Sequence, residues 1–204
     1  SLALKSDGTV AAWGWDAQGQ VSGASTVTDA VSVAAGGYHS LALKSDGTVA
    51  AWGDDYSGQV SGAAAVTAAE AIAAGTSFSL AMKADGSITA WGEDYENQVG
   101  GAASVTGAIA LAAGGAHGLA LKSDGTVQAW GWDTDNQVSG AASVSDAVAI
   151  AAGTVHSLAL KSDGTVVAWG SDNNGQVSGA AGVTDAVAIA AGDYHSLALK
   201  ADGT

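Results

Sequence analysis

The sequence predicts an all-β protein built from β-propeller blades, with four antiparallel strands to a blade. Three observations predict it. The chain repeats every 39 residues without insertion: Ser1, Ser40, Ser79, Gly118, Ser157 and Ser196 occupy one position. Trp13, Trp52, Trp91, Trp130 and Trp169 occupy another, and Gln20, Gln59, Gln98, Gln137 and Gln176 a third. Within each period, short runs alternate branched and small residues, the period-two signature of strands, and glycine-rich punctuation separates the runs. A period of about 40 residues carrying four strands is the size of one propeller blade.

The copy from Thr28 to Gly62 shows the expected elements in order. Ala30-Val-Ser-Val-Ala-Ala35 reads as a first strand, ended by Gly36 and Gly37. His39 to Lys44 is a second, with Leu41 and Leu43 on one face. Ser45-Asp46-Gly47 is a tight hairpin, most simply a type I turn with glycine at the left-handed bulge position. Thr48 to Trp52 is a third strand, Gly53 to Gly58 a polar loop, and Gln59-Val-Ser-Gly62 a short fourth strand. Alanine is abundant, but the glycine spacing, the branched residues and the lack of a period-3.6 stripe oppose helix.

A blade of this size cannot bury both faces alone, so neighbours must stack. Small residues in the first strand suit a crowded axis, with Trp, Leu and Val farther out; the Trp of Trp-Gly reads as core. A parallel β-solenoid is the alternative, opposed by the Asp-Gly hairpins and short strands. The chain is one repeat array over residues 1–204, with units 1–39, 40–78, 79–117, 118–156 and 157–195 and a partial copy 196–204. It opens inside a strand and ends inside a sixth copy, so it is expected to be a processed chain or an excerpt of a longer one. Closed ring and segment of a longer open array both remain open, because Ser196-Leu-Ala-Leu-Lys200 duplicates Ser1-Leu-Ala-Leu-Lys5.

Composition excludes several functions. Twenty acids stand against six Lys and no Arg, a net charge of −14. Each Lys sits at the same repeat position (Lys5, Lys44, Lys83, Lys122, Lys161, Lys200), so no basic patch exists to neutralise phosphates, and nucleic acid and anionic membrane surfaces are disfavoured. No run of about 18 apolar residues is present for membrane insertion. Without cysteine there is neither disulfide nor thiolate metal site. An Asp-rich, Lys-poor chain suits an extracellular or cell-surface setting.

The copies differ most in two loops that strand alternation places on one face. After Trp-Gly they read Trp15-Asp-Ala-Gln, Asp54-Asp-Tyr-Ser, Glu93-Asp-Tyr-Glu, Trp132-Asp-Thr-Asp and Ser171-Asp-Asn-Asn. Between strands one and two they read Gly37-Tyr, Thr76-Ser, Gly115-Ala, Thr154-Val and Asp193-Tyr. A candidate partner-binding face follows: Trp15, Tyr38, Asp54, Tyr56, Glu93, Tyr95, Trp132, Asp135 and Tyr194, since aromatics among polar groups are what binding surfaces use. Drift at tolerant loop positions is the other reading, and both stay open.

No constellation carries chemistry. His39, His117, His156 and His195 recur once per repeat, Phe78 takes the fifth place, and satisfying neighbouring backbone groups explains them better than a metal ring. The repeated Asp16, Asp55, Asp94, Asp133 and Asp172 read as caps of their own loops. Asp54, Glu93, Glu96 and Asp135 offer oxygen ligands to Ca²⁺, but no calcium-loop motif is present. Each Lys is placed to pair with its hairpin Asp, a contact of little energy. No nucleophile elbow, phosphate loop or nucleophile–base pair stands out, so no enzyme activity, cofactor or metal is expected.

Gly-x-x-His-Ser-Leu-Ala-Leu-Lys, Asp-Gly-x-Val-x-Ala-Trp-Gly and Gly-Gln resemble the regulator-of-chromosome-condensation repeat superfamily, in the compact bacterial form typified by beta-lactamase inhibitor protein II. The resemblance implies a propeller, of seven blades in the family, which at this period needs about 273 residues. It also implies contacts from the loop face, at Trp15, Tyr38, Tyr56, Tyr95, Trp132 and Tyr194. The family's outer segment often carries Pro, and this chain has none. Fold is implied more sharply than function. The expected role is a non-enzymatic structural or adhesive repeat protein, self-assembling end to end through incomplete terminal blades. The alternative is a recognition or inhibitor module acting through the aromatic-acidic loop face. Partners are another protein or further copies of the chain.

Overall fold

The computed structural model describes residues 1–204, and all its sheets are antiparallel. Four complete sheets follow one another: β3 (Ala30–Ala35), β4 (His39–Lys44), β5 (Val49–Gly53); β6 (Ala69–Ala74), β7 (Phe78–Lys83), β8 (Ile88–Gly92); β9 (Ala108–Ala113), β10 (His117–Lys122), β11 (Val127–Gly131); and β12 (Ala147–Ala152), β13 (His156–Lys161), β14 (Val166–Gly170). Two partial sheets flank them, β1 (Leu2–Leu4) with β2 (Val10–Ala12), and β15 (Ala186–Ala191) with β16 (Ser196–Lys200). Blade-like sheets thus recur as expected, and the repeat unit drawn from Ser40 begins at a second strand.

Each complete sheet has three strands, not four, which corrects the expectation for Gln59–Gly62. That stretch turns into a 3-10 helix, Ser61–Ala65. The backbone donors a strand would use are already taken: the Asp55 carboxylate accepts from the N–H of both Val60 and Ser61, each at 2.8 Å. Gly62 must also pass under the Trp91 indole, where an added Cβ would lie 2.5 Å from Cδ1. The same replacement occurs at Ser22–Thr26, Gly100–Ser104, Ser139–Ser143 and Ser178–Ala180.

The hairpins follow expectation. Gly47 sits at φ +79°, its N–H donates to Lys44 O at 3.0 Å, and the Lys44 N–H donates to Thr48 O at 2.9 Å. The turn is held by Asp46, whose carboxylate accepts from the Thr48 N–H at 2.9 Å and the Thr48 hydroxyl at 2.6 Å. Thr48 is therefore the partner of Asp46, and Lys44 acts on that carboxylate only through its charge.

Sheets stack face to face in chain order, which is how a repeat unit with two apolar faces finds cover. Leu41, Leu43 and Val49 of one sheet pack against Ala81 and Trp91 of the next, with Ile72 at the margin. Burying a leucine is worth roughly 1.5–3 kcal/mol, so each seam supplies what a lone sheet lacks. At the axis, Ala35-Gly36-Gly37 and its four counterparts surround a cavity of about 180 Å³. Packing of comparable extent does not join β15 or β16 to β1 or β2. No helix is long and apolar enough to cross a membrane.

Candidate functional site

Three of the seams between sheets are fastened by a His–Ser contact that recurs with the repeat. The Ser79 hydroxyl donates to Gln59 O at 3.1 Å, and the Trp91 indole N–H donates to the same carbonyl at 2.9 Å. His39 Nε2 lies 2.8 Å from Ser79 Oγ. Because the serine proton is spent on the carbonyl, Nε2 carries the imidazole hydrogen, which leaves Nδ1 as a buried acceptor without a partner. His117 with Ser157 and His156 with Ser196 repeat the contact at 2.9 and 3.0 Å. These histidines therefore bond a side chain of the next sheet rather than nearby backbone, correcting the sequence expectation. Burial pushes His39 and His117 down to about 4, the neutral form. No group of three or more His, Asp or Glu side chains is placed to hold a metal ion. The seam histidines are occupied in fastening sheets.

Sequence reasoning missed that fastening because its partners lie 40 residues apart. A signal was present all the same. The only repeat with Phe78 in place of histidine faces the only one with Gly118 in place of serine.

The variable loops lie together above the sheets because strands one and three both run towards them. The N–H of Asp54 donates to Tyr38 O at 2.9 Å, tying the two loops of one sheet. Within each loop the buried Gln59 accepts the Ser57 N–H at 2.9 Å, while Asp55 caps the following 3-10 turn. Backbone donation from Ser61 is the largest cause holding the Asp55 carboxyl below the usual carboxylate range. The constant residues of the loop thus build a frame, and the varying ones stand on it.

The candidate residues divide into separate groups. Trp15 and Tyr38, from adjacent sheets, meet edge to face with centroids 5.7 Å apart. Tyr56 and Tyr95 are 95% and 88% exposed and border a shallow hollow of about 370 Å³ with Ser57, Glu93 and Asp94. Trp132 folds over its own loop, its indole N–H donating to Thr134 Oγ1 at 2.6 Å. Asp54 accepts from the Gln59 amide at 2.6 Å, so this carboxylate braces the frame. Asp135 is half-buried and its N–H donates to Gln137 Oε1 at 2.9 Å. Tyr194 stands apart, beside a groove at the last sheet. The structure brings together two aromatic pairs, Trp15 with Tyr38 and Tyr56 with Tyr95.

The regulator of chromosome condensation (RCC1) repeat family matches residues 30–59, 108–137 and 147–176. Each matched segment runs from the start of a first strand to the buried glutamine, so it spans one sheet and its capped loop. These three segments are RCC1 repeats. No curated protein matches its sequence significantly. Among solved structures, yeast RCC1 (Prp20) bound to Kap60 is similar over 85% of this chain and 54% of its own, at 24% identity and a TM-score of 0.66. Prp20p from Saccharomyces cerevisiae, studied with its binding to Gsp1p and histones, is similar over 87% and 55%, at 24% and 0.65. The CRINKLY WD40 ectodomain of the Arabidopsis thaliana receptor kinase ACR4 is similar over 100% and 74%, at 21% and 0.71. The chain spans little more than half the length of the Prp20 structures. At these identities the likeness carries the fold.

Proposed function

We propose that this RCC1-repeat chain is a non-catalytic protein-interaction module that binds a basic protein surface through its loop face. The observation that carries the reading is the pair Tyr56 and Tyr95, almost wholly exposed beside Glu93 and Asp94. Rigid aromatics next to carboxylates suit lysine and arginine side chains, which stack on ring faces and pair with acids. A net charge of −14 without one arginine favours the same partner and draws it in from a distance. Prp20 is described with protein partners, histones among them, which supports a protein rather than a small molecule as ligand. An extracellular or cell-surface location is part of the proposal, supported by the acidic composition and by a receptor ectodomain among the similar folds. Affinity capture with the 204-residue chain, compared with a Tyr56→Ala/Tyr95→Ala variant, tests it. Loss of a basic partner in the variant is expected, and equal capture by both proteins would sink the reading.

A further inference from the structure

Two neighbouring repeats set a tyrosine at the same loop position, Tyr56 and Tyr95, where the others have Ala17, Thr134 and Asn173. Both loops follow complete sheets, β3–β5 and β6–β8. The two residues flank the hollow of about 370 Å³, whose polar lining comes from Ser57, Glu93 and Asp94. The carboxylates of these loops are not equivalent. Asp94 Oδ1 accepts from the N–H of Val99 at 2.7 Å and of Gly100 at 2.9 Å, so this group caps its own loop. Asp54 is spent on the Gln59 amide at 2.6 Å and does not line the hollow. Glu93 holds the repeat position of Asp54 with one more methylene. Its backbone N–H donates to Ser77 O at 3.0 Å, while its carboxylate accepts no hydrogen bond from the chain. Half-buried, Glu93 lines the hollow. The exchange of Asp for Glu thus releases a brace and leaves a free acceptor beside two aromatic rings.

We infer that this hollow takes one arginine side chain of the basic partner, its guanidinium received by Glu93 and covered by the rings of Tyr56 and Tyr95. The inference rests on the basic-partner reading above and names the side chain that the site selects. A carboxylate with both oxygens free matches the fork of a guanidinium, which gives two parallel N–H···O bonds. The guanidinium is flat, so it lies on a ring face while its edge donates to the acid. A lysine ammonium carries its three donors around a tetrahedral centre and cannot do both at once. Guanidinium is also the more weakly hydrated cation, so it gives up less on leaving water for a shallow hollow. Ser57 lines the same hollow and adds a hydroxyl acceptor for the donors that remain. The net charge of −14 draws in any cation, whereas Glu93 between the tyrosines selects among cations.

NMR titration of the 204-residue chain with end-blocked Gly-Ser-Arg-Ser-Gly and its lysine counterpart Gly-Ser-Lys-Ser-Gly tests this, read at the ring signals of the four tyrosines. The arginine peptide is expected to shift Tyr56 and Tyr95 and to leave Tyr38 and Tyr194 in place. It should bind at least about threefold more tightly than the lysine peptide. Glu93→Gln and Glu96→Gln each remove one negative charge, and neither carboxylate is bonded within the chain. Glu93→Gln should weaken the arginine peptide about tenfold, and Glu96→Gln by less than about twofold. Glu93→Asp keeps the charge but has the length of Asp54, which turns to its glutamine, so it should weaken binding as Glu93→Gln does. Unchanged melting temperatures in the three variants separate these losses from unfolding. Equal affinity for the two peptides, equal losses in Glu93→Gln and Glu96→Gln, or no shift at Tyr56 and Tyr95 up to about 10 mM peptide would overturn the arginine site. The basic-partner reading falls only by its own test, equal capture by the wild type and the Tyr56→Ala/Tyr95→Ala variant.

Discussion

The seam between the sheets of His39 and Ser79 and the seam between those of Phe78 and Gly118 join the same elements by different means. The first places a buried imidazole 2.8 Å from a hydroxyl, which itself donates a hydrogen bond to Gln59 O. The second has neither group. Phe78 is fully buried among Leu80, Ala120 and Trp130, and a Cβ on Gly118 would lie 2.3 Å from Trp130 Cζ2. Volume gained on one side is given up on the other, and donor and acceptor vanish together. The unit that the repeat preserves is therefore the pair across the seam. A phenylalanine facing a serine would crowd it, and a histidine facing Gly118 would leave Nε2 without its partner.

Acid should separate the two seams most strongly. His39 and His117 are pushed down to about 4 by burial, from 6.5 when unfolded. Unfolded chains thus bind more protons between those values, and stability rises with pH across that window. Their contribution is whole above about pH 6.5 and is lost as pH falls towards 4, on the order of 3 kcal/mol per histidine. Below about 3.8 the second loss begins, because Asp55 and Asp133 have carboxyls held below the usual range in the folded chain. Urea unfolding at stepped pH should show the first decline between 6.5 and 4. His39→Phe paired with Ser79→Gly should remove one histidine's share of it, and an unchanged slope would contradict the seam assignment.

Next in size is the cavity left by truncating the apolar seam. Phe78→Ala should cost about 3–5 kcal/mol, since a buried ring is deleted among close neighbours. His39→Ala should cost about 1–3 kcal/mol, because Ser79 keeps its bond to Gln59 O and only packing and one hydrogen bond are lost. Of the same order is Gly118→Ser alone, about 1–3 kcal/mol of overpacking against Trp130. Adding Phe78→His should recover most of that loss and steepen the pH dependence by one histidine. Additive effects in this double-mutant cycle would show that the two positions are not one unit.

What was legible in the sequence is what depends on near neighbours in the chain. The first two strands and the hairpin announce themselves through alternation and Asp-Gly, and the structure places them at the expected residues. Gln59–Gly62 alternates equally well, yet it is a 3-10 turn because Trp91 lies over Gly62, a contact 29 positions away that no local pattern carries. Trp13 illustrates the same limit from the other side. It has the sequence environment of Trp52 but stands in the open, because burial of this tryptophan depends on a groove in the preceding repeat. For the candidate site, exposure of Tyr56 and Tyr95 followed from loop position, whereas the use of Asp54 by Gln59 needed side-chain geometry.

The smallest expected effect lies at the outer end of the same seams, where the hairpin of one sheet meets the residue before the next. Gly47 O accepts the Ala69 N–H at 3.0 Å, and Ala68 turns the chain at φ +56° to allow it. The equivalent residues Asp29, Asp146 and Asp185 adopt φ of +59° or +60°. Left-handed backbone is unfavourable for alanine by roughly 1 kcal/mol, and short polar side chains that bond their own backbone relieve part of it. Asparagine has this relief without adding to the net charge of −14 and without the chain entropy that glycine brings. Ala68→Asn should therefore raise stability by about 0.5 kcal/mol, or about 1–2 °C in Tm for a chain of this size. Asp29→Ala should lower it by a similar amount. Thermal unfolding of the two variants side by side measures the sign at each seam, and a fall in Tm for Ala68→Asn would mean that the crowding of Gly47 against residue 68 outweighs the backbone relief.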